Sequence, residues 1–177
     1  MMLHESSDER DWRTESQPGE GTASGEPAAA PVEPARRRMS RPTEPPRVLL
    51  ADDDEETREM LATALREYGY DVTEARDGTE LAAFLTWSLV GGEPGDSVDL
   101  VVTDVHMPGL SGLEALEQIR NLDPSLRAIV ITGFPNDALE ADARRLGADV
   151  VFDKPFLLDN LLIAVLSLVP PFEPKGS

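Results

Sequence analysis

The sequence contains no cysteine, which excludes disulfides and thiolate metal sites and points to a cytoplasmic location. No apolar run approaches the roughly 20 residues needed to span a bilayer. Residues 1–13 mix acids, Ser and Arg without an apolar centre, so they do not make a secretory signal. Positive charge is scarce as well: 16 Lys and Arg stand against 34 Asp and Glu, a formal charge of −18. Non-specific binding to nucleic acid or anionic lipid needs a basic surface, so neither is expected as a partner. Lysine supplies little of the positive charge, with two residues, Lys154 and Lys175, against 14 Arg.

What is there suits one domain with flanking segments: 177 residues, 40% of them hydrophobic. Residues 1–46 are rich in Pro, Gly, Ala, Ser and Glu, have no apolar period, and are expected to be disordered. Their cluster Arg36-Arg37-Arg38 with Arg41 reads as a solvated charge run rather than a docking patch. From Arg47 to Val169 there are 24 acids and nine bases, so the acidity belongs to the domain. A short Pro-rich tail, 170–177, follows, so the sequence is expected to be either a domain that acts alone by protein contact or a piece cut from a longer protein.

Within 47–169, strand and helix signals alternate five times. Arg47–Ala51 is a buried strand; Asp54–Tyr68 is a helix with Met60, Leu61, Ala64, Leu65 and Tyr68 on one face, capped by Asp53 or Asp54 and ended by Gly69. Then follow a strand at 71–75, a helix at 78–89, a Gly-rich loop at 91–95 and a central strand, Asp99–Asp104. A helix at 112–121, a strand at 128–132, a weaker helix at 137–146, a strand at 149–152 and a last helix at 157–169 complete the series. Such βα units, with β-branched runs lacking strict alternation, predict an α/β fold: a parallel, doubly wound sheet of the flavodoxin-like (βα)5 kind.

The stretch VVTDVHMPGLSG, Val101 to Gly112, organises the rest. Its β-branched run meets Met-Pro-Gly, which cannot continue a central strand, and leaves Asp104 at a strand's carboxyl end, where open α/β sheets bind ligands. Alone, such an Asp would be an Asx-turn or a helix cap. In the predicted fold, however, Asp52 and Asp53 follow the first strand, Thr132 ends the fourth and Lys154 the fifth. Three converging carboxylates repel one another unless a cation sits among them, and oxygen-only ligands select a hard ion, so Mg²⁺ is expected, with Mn²⁺ able to substitute. A hydroxyl and an ammonium complement an anion. Acids for a metal with Thr and Lys for an anion describe a phosphoryl group arriving at a carboxylate. Lys154, the one lysine of the domain, stands out in a chain that otherwise chooses Arg.

Asp52-Asp53, VVTDVHMPGLSG, IVITG ending at Thr132-Gly133, and VVFDKPF around Lys154 together resemble the receiver (response-regulator) domain of two-component signalling, over about residues 47–169. The resemblance implies that Asp104 accepts a phosphoryl group from a histidine kinase or phosphotransfer protein. It implies that Asp52 and Asp53 hold Mg²⁺, and that His106 lends the metal its backbone carbonyl. Thr132 would be the switch hydroxyl, Lys154 would bind phosphoryl oxygens across a cis bond to Pro155, and Gly133 would keep a small position beside the phosphate. No enzyme turning over a substrate is implied. One departure stands out: receivers usually carry Tyr or Phe three residues before the lysine, and here that place holds Val151, while Phe152 should point to the opposite face.

A second reading is a Mg²⁺-dependent phosphohydrolase with an aspartyl nucleophile, in which His106 would stand where a general acid is wanted. The last helix carries two apolar stripes, Leu157, Leu161, Ala164, Val165 and Leu168, and beside it Leu158, Leu162, Leu166 and Val169. The second is either a surface for a downstream partner or homodimer, or more core.

Overall fold

The computed structural model describes residues 44–88 and 97–171. The disorder expected for the N-terminal tail therefore falls, but for its last three residues, outside the described residues, as do the end of the second predicted helix, the Gly-rich loop at 91–95 and most of the C-terminal tail.

Ten elements alternate along the described chain: β1 (Arg47–Ala51), α1 (Glu55–Glu67), β2 (Asp71–Ala75), α2 (Gly78–Thr86), β3 (Leu100–Asp104), α3 (Gly112–Leu122), β4 (Arg127–Thr132), α4 (Asp137–Arg145), β5 (Val150–Asp153) and α5 (Leu158–Leu168). All strand pairs are parallel, in the order β2-β1-β3-β4-β5. This is the flavodoxin-like winding expected from the sequence. Successive residues of each strand feed two cores. Val48, Leu50, Leu100, Val102, Ile129 and Ile131 pack with α1 and α5, whereas Leu49, Ala51, Val101, Ala128 and Val130 pack with α2, α3 and α4. β3 is buried at every position because strands lie on both sides and helices on both faces.

Local chemistry sets the helix starts. Asp54 caps α1 through the Thr57 amide (2.8 Å), Asp77 caps α2, Ser111 and Glu114 form a capping box at α3, and Asn136 caps α4. The cap of α1 is thus Asp54, which leaves Asp53 free for another role.

One expectation needs correction and one open alternative is decided. In α1, Met60 and Tyr68 are exposed (48% and 47%), and the buried face is Arg58, Leu61, Ala62, Ala64 and Leu65. The apolar period admitted either phase, and docking on β1 and β2 selects the one centred on Leu61 and Leu65. In α5, Leu162 is buried, and Leu158, Leu166 and Val169 pack against the same cluster as Leu161 and Val165. The second stripe thus joins the core, fully at Leu162 and in part at Leu158, Leu166 and Val169, while Leu157 of the first stripe is the helix cap and is exposed (70%).

The edge formed by the amino ends of the strands is held by ionic contacts to backbone. The Arg120 guanidinium donates to the carbonyls of Pro124, Leu126, Leu146 and Gly147, tying the end of α4 to the loop before β4. Gly147 (φ +90°) is required there, because a Cβ would lie 2.5 Å from Arg120 Nε. Asp149 accepts from the Ala128 amide and from Arg127, both at 2.8 Å, and Asp99 accepts from the Arg47 amide at 2.9 Å. Among the described residues, no helix is long and apolar enough to cross a membrane.

Candidate functional site

At the opposite edge, the carboxyl ends of β1, β3, β4 and β5 bring the predicted residues together. Asp52 and Asp104 are buried, at 1% and 4% exposure, and Asp53 is exposed beside them. One carboxylate oxygen from each of the three lies within 4.8 Å of the others. Lys154, which follows β5 and precedes a cis peptide bond to Pro155, reaches across the strand ends. Its Nζ donates to Asp52 Oδ2 at 2.8 Å and to Asp104 Oδ2. The other oxygens of the two buried acids also have partners: Asp52 Oδ1 accepts from the Asp54 amide (3.0 Å) and Asp104 Oδ1 from the His106 amide (2.7 Å). The Asx-turn that a lone Asp104 would make does form, and it coexists with the lysine bridge.

Burial pushes the Asp52 carboxyl above its ordinary value and the charge of Asp104 adds to this, against the lowering effect of Lys154 and the Asp54 amide. At Lys154, burial lowers the ammonium's pKa, but its hydrogen bonds to Asp104 and Asp52 and their charges outweigh this and leave it raised. One ammonium thus serves two buried carboxylates, with a third acid open to water. An oxygen-only donor set carrying this excess of negative charge fits a hard divalent cation such as Mg²⁺, which would relieve what burial does to Asp52.

Thr132 is fully buried at the end of β4, and its Oγ1 accepts from the Phe134 amide at 3.2 Å. Its carbonyl accepts from the Lys154 amide at 2.7 Å, so the fourth and fifth strand ends are stitched together at the site. A Cβ added at Gly133 would meet nothing within 4 Å, whereas one at Gly112 would come within 2.1 Å of the Asp104 carbonyl. Gly112 is thus required by packing and Gly133 leaves open space. The His106 side chain is exposed and meets the exposed Phe134 ring edge-on, with centroids 5.1 Å apart.

Val151 faces the α4 side and lines, with Thr132, Pro135, Asn136 and Leu139, a cavity of about 130 Å³. Phe152 packs on the other core against Phe156, as the strand alternation predicts. Arg58 escaped the sequence reading: it is buried, and its Nη1 donates to the Asp52 carbonyl at 2.8 Å. On an amphipathic helix an arginine reads as a surface residue, and only the wrong-phase position between Asp54 and Leu61 could have marked it.

Comparison with known proteins agrees with this fold. Residues 48–166 match the family model of the response regulator receiver domain. The Response regulator MprA of Mycolicibacterium vanbaalenii is 35% identical over 125 residues, 71% of this chain and 51% of that protein. The chain spans about half the length of the curated relatives it matches. Among solved structures, the receiver domain of the Francisella response regulator 1452 is 29% identical with a TM-score of 0.61, covering 70% of this chain and 95% of that one. A response regulator protein from Burkholderia pseudomallei, described with a phosphorylated aspartic acid, a calcium ion and citrate, is 28% identical with a TM-score of 0.58, covering 67% and 65%. By its fold, its strand-end acids and the match over 48–166, this chain belongs to the response regulator receiver domain family of two-component systems.

Proposed function

We propose that Asp104 is the phosphoacceptor of a two-component phosphorelay, loaded by a partner histidine kinase or phosphotransfer protein in the cytoplasm. The observation that carries this reading is the Lys154 ammonium held between Asp52 and Asp104, with Asp53 completing the acidic set. Mg²⁺ held by Asp52, Asp53, Asp104 and the backbone carbonyl of His106 would supply positive charge for the phosphoryl oxygens. An Asp104 carboxylate oxygen attacks the phosphorus, the bond from phosphorus to the donor breaks, and an acyl phosphate forms. Lys154 moves its hydrogen bonds from carboxylate to phosphoryl oxygens, stabilising charge it already faces. The incoming group would sit beside Gly133, and Thr132 would turn toward it the hydroxyl that now accepts from the Phe134 amide.

The Burkholderia relative, with its phosphorylated aspartate and bound calcium ion, supports the same reading. The phosphohydrolase alternative is not favoured, since the family match spans the whole acidic site. Each chain is expected to take one phosphoryl group rather than turn over a substrate, and to signal by contact with a downstream protein or a second copy. Incubation with acetyl phosphate and Mg²⁺ should add one phosphoryl group by intact-mass measurement, and Asp104→Asn should abolish it. Undiminished labelling of the variant would sink the assignment.

A further inference from the structure

Arg58 is the only buried lysine or arginine among the described residues, at 7% exposure. Burying a guanidinium is costly unless it is paired and hydrogen-bonded. Its partners are the Asp52 carbonyl, 2.8 Å from Nη1, and Glu74 of β2, whose Oε2 lies 3.5 Å from Nε. Glu74 is in turn held by Arg66, at 2.9 Å. The Asp52 carbonyl belongs to the peptide that leads into Asp53, so the guanidinium fixes the plane from which both acids depart. Asp52 has further restraints, from Lys154 and the Asp54 amide. Asp53 is exposed, and its direction depends on the backbone.

We infer that Arg58 is a positioning residue for the divalent-cation site, acting through the Asp52–Asp53 peptide and anchored at β2 by Glu74. This rests on the proposed reading of the acidic set. Arg58 touches neither the acceptor carboxylate nor any group assigned to the phosphoryl. Its two influences on cation affinity have opposite signs, which makes the inference decidable. As a positive charge hydrogen-bonded to the Asp52 carbonyl it repels a cation held by the neighbouring acids, so deleting it on electrostatic grounds alone would tighten Mg²⁺ binding. As the restraint on the peptide it preorganises the ligands, so deleting it would weaken binding.

The experiment compares the parent, Arg58→Met, Arg58→Lys and Asp53→Asn by calorimetric Mg²⁺ titration without phosphodonor, and by acetyl phosphate labelling across Mg²⁺ concentrations. Arg58→Met is expected to weaken Mg²⁺ binding about 5- to 10-fold, with the labelling rate at saturating Mg²⁺ within about twofold of the parent. Arg58→Lys, which keeps a donor for the carbonyl, should recover part of the affinity. Mg²⁺ affinity that is unchanged or tighter in a folded Arg58→Met overturns the inference while the parent's binding and labelling stand. If Arg58→Met does not fold, Arg58→Lys decides: affinity equal to or above the parent's overturns the inference, and a loss of twofold or more supports it. A parent that binds no Mg²⁺, or binds it as well after Asp53→Asn, overturns the reading of the acidic set and this inference with it.

Discussion

Asp53 is the acid whose role depends most on a cation. Asp52 and Asp104 share the Lys154 ammonium, while Asp53 stands exposed and does not cap α1. A cation that binds the folded state stabilises it by RT ln(1 + [L]/Kd), about 1.4 kcal/mol at ten times Kd, enough to raise the melting temperature by a few degrees. Millimolar Mg²⁺ should therefore raise the melting temperature in a calorimetric scan, and Asp53→Ala should remove most of that rise. If Mg²⁺ leaves the parent unchanged, the carboxylates do not act as a cation site. These acids were legible in the sequence because a polar residue that interrupts a β-branched run sits at a strand end, and parallel winding sends all such ends to one edge. Arg58 was not legible, because its burial comes from a contact with Glu74, on another element.

Among the elements, the strands and their order were predictable from short apolar runs, and the helix ends to within one residue except at α2, whose α-helical span stops at Thr86 rather than 89. The phase of α1 was not, since Met60 and Leu61 are equally apolar and the sheet beneath decides between them. Nor was the fate of the second α5 stripe, which is covered by residues as distant as Tyr70 and Val72. At α4 only Ala143 is fully buried, and the cavity of about 130 Å³ behind Thr132 gives its first turn room to move. Loading Asp104 with beryllofluoride should change amide hydrogen exchange from Thr132 to Asn136. Val151→Tyr, which fills the cavity, should reduce that change without blocking acetyl phosphate labelling. Protection changes confined to the Asp104 loop would show that the signal does not pass through Thr132.

Taken whole, the described domain has an acidic edge and a holding edge, because parallel strands place every carboxyl end on one side. The far side of α1 and α5 is closed by Tyr70, which is buried and donates its hydroxyl to the Val169 carbonyl at 2.6 Å. Burial pushes this phenol up from 10.0 to about 12. Below pH 10 it is protonated in both folded and unfolded chains. As pH rises from 10 to 12 the unfolded chain loses the proton first, so stability falls across that window. Tyr70→Phe should cost about 1 kcal/mol at pH 8, the worth of one hydrogen bond, and should flatten the alkaline loss in urea melts at pH 8 and pH 11. A variant with the parent's alkaline slope would rule Tyr70 out as its source. On the holding edge, the Arg120 clamp fixes one end of α4 while the other faces the cavity. If that helix moves, it would turn about Leu146: nine residues rising 1.5 Å each make an arm of about 13 Å. A shift of about 2 Å at Asn136 would swing it by roughly 9° on such an arm, turning a displacement at the acidic edge into rotation of a surface helix.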